Sequence, residues 1–238
     1  GRTVAVEIAN NLVEENGGQD NAFTSQDVTS YYVDIAADKI DLVIDLEADR
    51  MINAPVRKDI LDTQMTVVRN EMESGENNPL NALAQRVMAT AYLWHNYGKS
   101  TIGARSDVEN VPIERLQAFY KRYYQPDNAV LIIAGKFDEA AAVRLIAQKF
   151  GPIPKATRTL DRTYTVDPPQ DGERSVRVQR VGDIQALYLA YRVPAIAHPD
   201  SAAVDLLSYV LASSPAGRLH KALVETGKAV QTGGGQRV

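Results

Sequence analysis

From Lys39 to Trp94 the chain carries three helical patterns in succession with no strand between them, and this run restricts the fold more than any other feature. The stretch "KIDLVIDLEADRMINA" sets Ile40, Val43, Ile44, Leu46 and Met51 at helical spacing and stops before Pro55. "RKDILDTQMTVVRNEMES" and "NALAQRVMATAYLW" follow as a second and a third helix. Helices in such a row cannot each be the crossover of an alternating parallel sheet. Strand-like stretches are clustered instead. "NAFTSQDVTSYYVDIA" reads as a hairpin turning near Ser25 to Asp27, and "NAVLIIAG", bounded by Asn128 and Gly135, reads as a buried strand. The predicted class is therefore α+β rather than a doubly wound sheet.

The remaining segments fit this frame. Val4, Ile8, Leu12 and Val13 predict an opening helix that stops at Gly17 and Gly18. "ERLQAFYKRYY" predicts a short amphipathic helix closed by Pro126, and "DEAAAVRLIAQKFG" a helix stopped by Gly151. Pro152 to Gly172 is poor in apolar residues and holds four prolines. A domain over residues 1–155, incomplete at its start, a linker over 156–173, and the beginning of a second, similarly folded domain over 174–238 are expected. In the second unit "SVRVQRV" and "QALYLAYRV" predict paired strands, and "SAAVDLLSYVLA" and "GRLHKALVET" predict helices. The chain opens as if already inside a helix, and its "GGGQRV" end closes no element, so it reads as a fragment.

Composition excludes several partners. A net charge of −4 and a pI near 5.5 leave no basic face for nucleic acid or an anionic membrane. No apolar run is long enough for a helical membrane span. The absence of cysteine removes a disulfide framework and thiolate metal ligands, and says nothing firm about compartment. The first residues lack the basic start and apolar block of a signal peptide.

The acids of "TVVRNEMESGENNPL" separate by helical angle. At about 100° per residue from Gln64, the apolar arc runs from Val67 at about −60° to Met65 at about 100°. Glu71 falls inside that arc at about −20°, beside Gln64, whereas Glu73 falls at about 180° on the polar side. Glu73 and Glu76 are expected to be solvated surface charges. A carboxylate on a buried stripe must be paired, hydrogen-bonded or metal-bound. By angle alone Glu71 is either a structural ion pair or part of a functional site. The three histidines, His95, His198 and His220, show no metal-ligand spacing, so the chain by itself does not complete a zinc site.

"NGGQDNAFTSQDVTSYY", "ADRMIN", "VVRNEMESGENNP", "YGKSTIGARSDVENV", "FYKRYYQPDNAVLIIAGKFD" and "FGPIP" stand in an order and spacing that resembles the pitrilysin/insulinase-type zinc metallopeptidases, over nearly the whole chain. The resemblance implies a processing-peptidase-like metallohydrolase fold, an antiparallel-rich sheet with helices packed on it. In that family two histidines of an inverted H-x-x-E-H motif and a glutamate on a later helix hold zinc, and that glutamate falls on Glu71. A second glutamate often stands one heptad earlier, where this chain has Gln64. Gln64 can hydrogen-bond a ligand but brings no negative charge. The H-x-x-E-H motif, with its general base, is expected upstream of Gly1, so no residue of this chain is assigned as catalytic base.

Asn21, Ala22, Phe23 and Thr24 match the family's edge strand, along which a substrate peptide adds by backbone hydrogen bonds. By spacing alone they are an ordinary hairpin with Asn21 as turn chemistry. Gly98 and Gly103 are expected to be permissive positions in a structural loop. The resemblance thus implies a zinc metalloendopeptidase that acts on peptide or unfolded polypeptide inside a clamshell chamber, completed by a second peptidase-like half or subunit. The fragment alone is expected to be inactive and not to hold zinc tightly. The alternative is a catalytically silent peptidase-like partner or peptide-binding half. Bacterial periplasm or cytoplasm is expected, with periplasm slightly favoured.

Overall fold

A computed structural model describes residues 6–183 and 185–236. Val4, expected on the first helix, lies outside the described residues. Contacts divide the chain into a unit ending at Ala186 and a unit running from Leu187.

In the first unit, α1 (Val6–Glu15) ends as its glycines dictate. Gly17 takes a φ of 75°, and the amides of Gly17 and Gly18 close back on the carbonyls of Glu14 and Val13, each at 2.9 Å. This pairing is a Schellman cap, which needs a residue without Cβ in the left-handed region. A Cβ on Gly18 would also meet Val13 Cγ1 at 2.8 Å, so the chain turns tightly against its own helix. It then enters the antiparallel pair β1 (Gln19–Thr24) and β2 (Thr29–Asp34), in register from Gln19 opposite Asp34 to Thr24 opposite Thr29. The turn falls where the sequence places it. Ser25 N–H donates to the Val28 carbonyl at 2.8 Å, and the Ser25 hydroxyl accepts from Val28 N–H at 3.2 Å.

The expected helices follow as α2 (Ile40–Asn53), α3 (Lys58–Asn77), α4 (Pro79–Ala91), α6 (Ile113–Tyr123) and α7 (Glu139–Phe150). The short α5 (Arg105–Asn110) arises in what the sequence presents as loop. Helix α2 packs on α7, α3 on α4 and α5, and α4 on the turn at Asn96–Gly98. Buried apolar side chains in these elements are few: Val13, Ile44, Leu46, Ala48, Met72, Ala82 and Ala142.

Residues 129–134 correct one expectation. They form no strand and are not buried, with Val130 86% and Ile132 79% exposed. The stretches 175–181 and 185–193 likewise form no strand pair among the described residues. A helix closes its hydrogen bonds locally, but a strand exists only where a neighbour receives its amides and carbonyls. Among the described residues none of these three stretches makes a backbone hydrogen bond with another segment.

Residues 156–180 carry no regular element, but their own side chains tie them to the rest of the first unit. Arg158 donates to the Arg122 carbonyl at 2.6 Å and pairs with Asp127, while Arg122 pairs with Asp161. Asp167 receives the Trp94 amide at 2.7 Å, and Arg174 and Arg180 donate to the carbonyls of Thr90 and Glu76. The second unit holds α8 (Ser201–Ala212), as expected, and a π-helical turn at His220–Val224 within the last predicted helix.

Candidate functional site

Helix α3 presents two faces. Met72 is 4% exposed, and Ile60, Leu61, Met65 and Val68 are half-buried, whereas Gln64, Val67 and Glu71 are exposed. The helix is where its periodicity places it, but the covered face is narrower than the apolar arc. Its covered side chains near the end of the helix are Met65, Val68 and Met72, and Glu71 is exposed at their margin. Tertiary neighbours, not the arc, decide which part of an amphipathic face is covered, and α3 is met chiefly by α4 and α5.

The three acids of this helix are still unlike one another. Glu73 and Glu76 are each bridged by Arg105 at 3.0 Å, from the first turn of α5. They are not simply the solvated charges expected of them; one guanidinium fork spans both. Pairing with the two carboxylates, Glu73 first, holds the Arg105 guanidinium more firmly in its charged form. The Glu71 side chain makes no hydrogen bond or ion pair with a described residue and is exposed. Gln64 lies one heptad earlier on the same exposed face. Arg180 fixes the last turn of the helix through the Glu76 carbonyl. Asn78 then begins α4, its side chain accepting from the amides of Leu80 at 2.9 Å and Asn81 at 3.2 Å.

Strand β1 pairs only with β2 among the described residues, so its other edge is unpaired there. Asn21, Ala22, Phe23 and Thr24 are all exposed on it. Asn21 sits within the strand rather than in a turn, and its side chain accepts from the Ala22 amide at 2.8 Å. The tip of the hairpin is held from outside: the Tyr97 hydroxyl donates to Asp27. That bond, before burial, raises the Tyr97 phenol above its ordinary range.

Beneath the hairpin lies a largely apolar cavity of about 530 Å³, bounded by β1, β2, α2 and α6. Tyr31 reaches Tyr124 hydroxyl to hydroxyl at 2.8 Å, and the Arg50 guanidinium stands 4.9 Å over the Tyr31 ring. Burial, then the bond to Tyr124, pushes the Tyr31 phenol well above its ordinary range, so it stays a neutral hydrogen-bonding group. Burial also raises the Glu47 carboxyl on this side of α2, against the attraction of Arg50 at 3.4 Å.

Each histidine serves the local fold. His95 Nδ1 accepts from the Tyr97 amide at 3.2 Å, with the two rings edge to face at 4.4 Å. His198 Nδ1 accepts from the Asp200 amide at 3.2 Å, and His220 Nδ1 lies 3.2 Å from the Ser214 hydroxyl. Among the described residues no group of three or more potential metal-ligating side chains comes together. Glu71 offers one oxygen donor of the kind zinc accepts, and one donor is not a zinc site. Tyr120 and Tyr124 fall on the apolar spacing of the helix predicted from "ERLQAFYKRYY", whereas Tyr31, Tyr97 and Arg105 carry no periodic signal, because their partners are distant along the chain.

Two family models divide the chain. The model described as "Insulinase (Peptidase family M16)" matches residues 5–105, and "Peptidase M16 inactive domain" matches 110–238. The zinc protease PqqE of Helicobacter pylori is 30% identical over 217 residues, covering 90% of this chain and 49% of that protein. The crystal structure of a protease from Helicobacter pylori superposes with a TM-score of 0.88 at 28% identity, covering 97% of this chain and 56% of the other. The first half of the periplasmic protease PqqL from Escherichia coli shares the fold alone, with a TM-score of 0.60 at 22% identity over 66% of this chain and 35% of that one. The chain thus has the α+β fold of processing-peptidase-like domains, and it spans about half the length of the Helicobacter relative.

Proposed function

This chain belongs to the insulinase family of peptidases, M16, and on that premise we propose that it is part of a zinc-dependent metalloendopeptidase that cleaves peptide or unfolded polypeptide within a two-half chamber. Glu71 is the carboxylate ligand, with Gln64 beside it to hydrogen-bond a neighbouring ligand. The histidines and the general base come from an H-x-x-E-H motif upstream of Gly1. Bound zinc supplies a polarised water for attack on the peptide carbonyl. Asn21, Ala22, Phe23 and Thr24 align the substrate as an added strand, whose affinity comes from main-chain hydrogen bonds. Residues 1–155 form the peptidase domain, 156–173 the linker, and 174–238 the opening of a second domain. The periplasm is the favoured compartment, supported by the fold shared with periplasmic PqqL.

One observation carries this assignment. Of the three acids at the end of α3, Glu73 and Glu76 are committed to Arg105, and Glu71 alone is left unengaged among the described residues. An exposed carboxylate with no structural duty is available to a ligand. The match of residues 110–238 to an inactive-domain model supports a second reading, a silent half that completes an active partner's chamber.

Hydrolysis of an unfolded polypeptide by the whole gene product, stripped with chelator and then resupplied with zinc, separates the two. Activity that is lost and restored establishes the peptidase. Absence of hydrolysis, with a degenerate motif upstream, establishes the silent half.

A further inference from the structure

One stretch, residues 92–110, touches both elements to which the proposed function assigns a role. At its beginning Tyr97 bonds to Asp27 in the tip of the β1–β2 hairpin, one turn beyond Thr24. At its end Arg105 bridges Glu73 and Glu76, which flank the turn of α3 that follows Glu71. Both contacts join segments far apart in the chain, and neither lies in a periodic apolar face.

The part of the segment around Tyr97 is tightly built. Its amides fold back on nearby carbonyls, Gly98 to His95 at 3.1 Å and Lys99 to Asn96 at 2.9 Å. The Tyr97 ring is wedged edge-on against Tyr92 at 5.6 Å as well as against His95. A Cβ at Gly98 would fall 2.3 Å from the Tyr92 carbonyl oxygen, so the turn admits no side chain there. The turn also packs on α4, and α5 packs on α3.

We infer that residues 92–110 are a brace that sets the substrate strand and the metal-ligand helix relative to the same frame, with Tyr97 and Arg105 as its two positioning residues. The brace rests on the proposed roles of residues 21–24 and Glu71. Tyr97 acts on the strand and Arg105 on the helix, so their effects separate. An ion pair at the surface contributes little to stability, but a fork across two carboxylates fixes orientation in a way that a lysine cannot reproduce.

The test uses Tyr97→Phe, Arg105→Gln, Arg105→Lys and Glu71→Gln in the whole gene product. Three readouts are needed: amide hydrogen exchange, zinc affinity by chelator competition, and KM against kcat. Tyr97→Phe is expected to speed exchange at Ser25 and Val28 and to raise KM about three- to tenfold, with zinc affinity unchanged. Arg105→Gln is expected to speed exchange in the last turn of α3 and weaken zinc about three- to tenfold with KM unchanged, and Arg105→Lys to recover little of it. Exchange that does not change at either element, or that quickens at both in both variants, overturns the brace. Retention of zinc by Glu71→Gln defeats the ligand assignment instead, while the exchange pattern still decides whether the brace exists.

Discussion

Tyr120 donates to the Arg50 carbonyl at 2.7 Å and accepts from the Ala54 amide at 3.1 Å, so that one phenol of α6 closes the C-terminal end of α2. Arg50 lies in the last turn of α2, where carbonyls have no partner within the helix. Burial raises the Tyr120 phenol, keeping it protonated for this role. Tyr120→Phe removes both bonds and leaves the ring. A loss of about 1 to 2 kcal/mol in stability is expected, read from denaturant midpoints at constant slope. An unchanged midpoint would show that water replaces the phenol without cost.

Asn78 stands at the junction of α3 and α4 and caps the second through two backbone amides, with Pro79 placed where no donor is required. Asn78→Ala is expected to destabilise by about 1 kcal/mol, and Asn78→Ser by less. Thermal melts of the two variants provide the comparison.

The pair of Arg158 with Asp127 predicts a dependence on pH. Hydrogen bonding from Arg158, chiefly, lowers the Asp127 carboxyl below the ordinary aspartate range. A depressed carboxyl contributes its share above its ordinary value and loses it as pH falls through the lowered one. Exchange of the Arg158 Nε proton, which is donated to the Arg122 carbonyl, corrected for intrinsic rates, is therefore expected to quicken on acidification below the aspartate range. Asp127→Asn is expected to exchange quickly throughout and to show no such transition.

What the sequence discloses follows the reach of the interactions. The helices are legible because their apolar spacing and their stops, such as Gly17 and Pro55, are local. The hairpin is legible through its turn at Ser25 to Val28. Val130 and Ile132 mislead, because an apolar run of strand composition states a propensity but not a partner. Glu71 is singled out by angle for a reason that the fold revises. It lies at the margin of the covered face, and what sets it apart is that Arg105 takes its neighbours. Nothing in "YGKSTIGARSDVENV" announces that Tyr97 and Arg105 reach opposite elements, since both bonds depend on tertiary packing.

Metal binding by Glu71 underlies every role proposed for α3. Zinc content of the whole gene product, measured by elemental analysis before and after Glu71→Gln, addresses it without recourse to activity. One zinc per chain is expected in the parent protein and a large loss of zinc in the variant, with Asp62→Asn, on the same helix but outside the Arg105 bridge, retaining it. Equal zinc content in the parent and in Glu71→Gln would contradict the assignment.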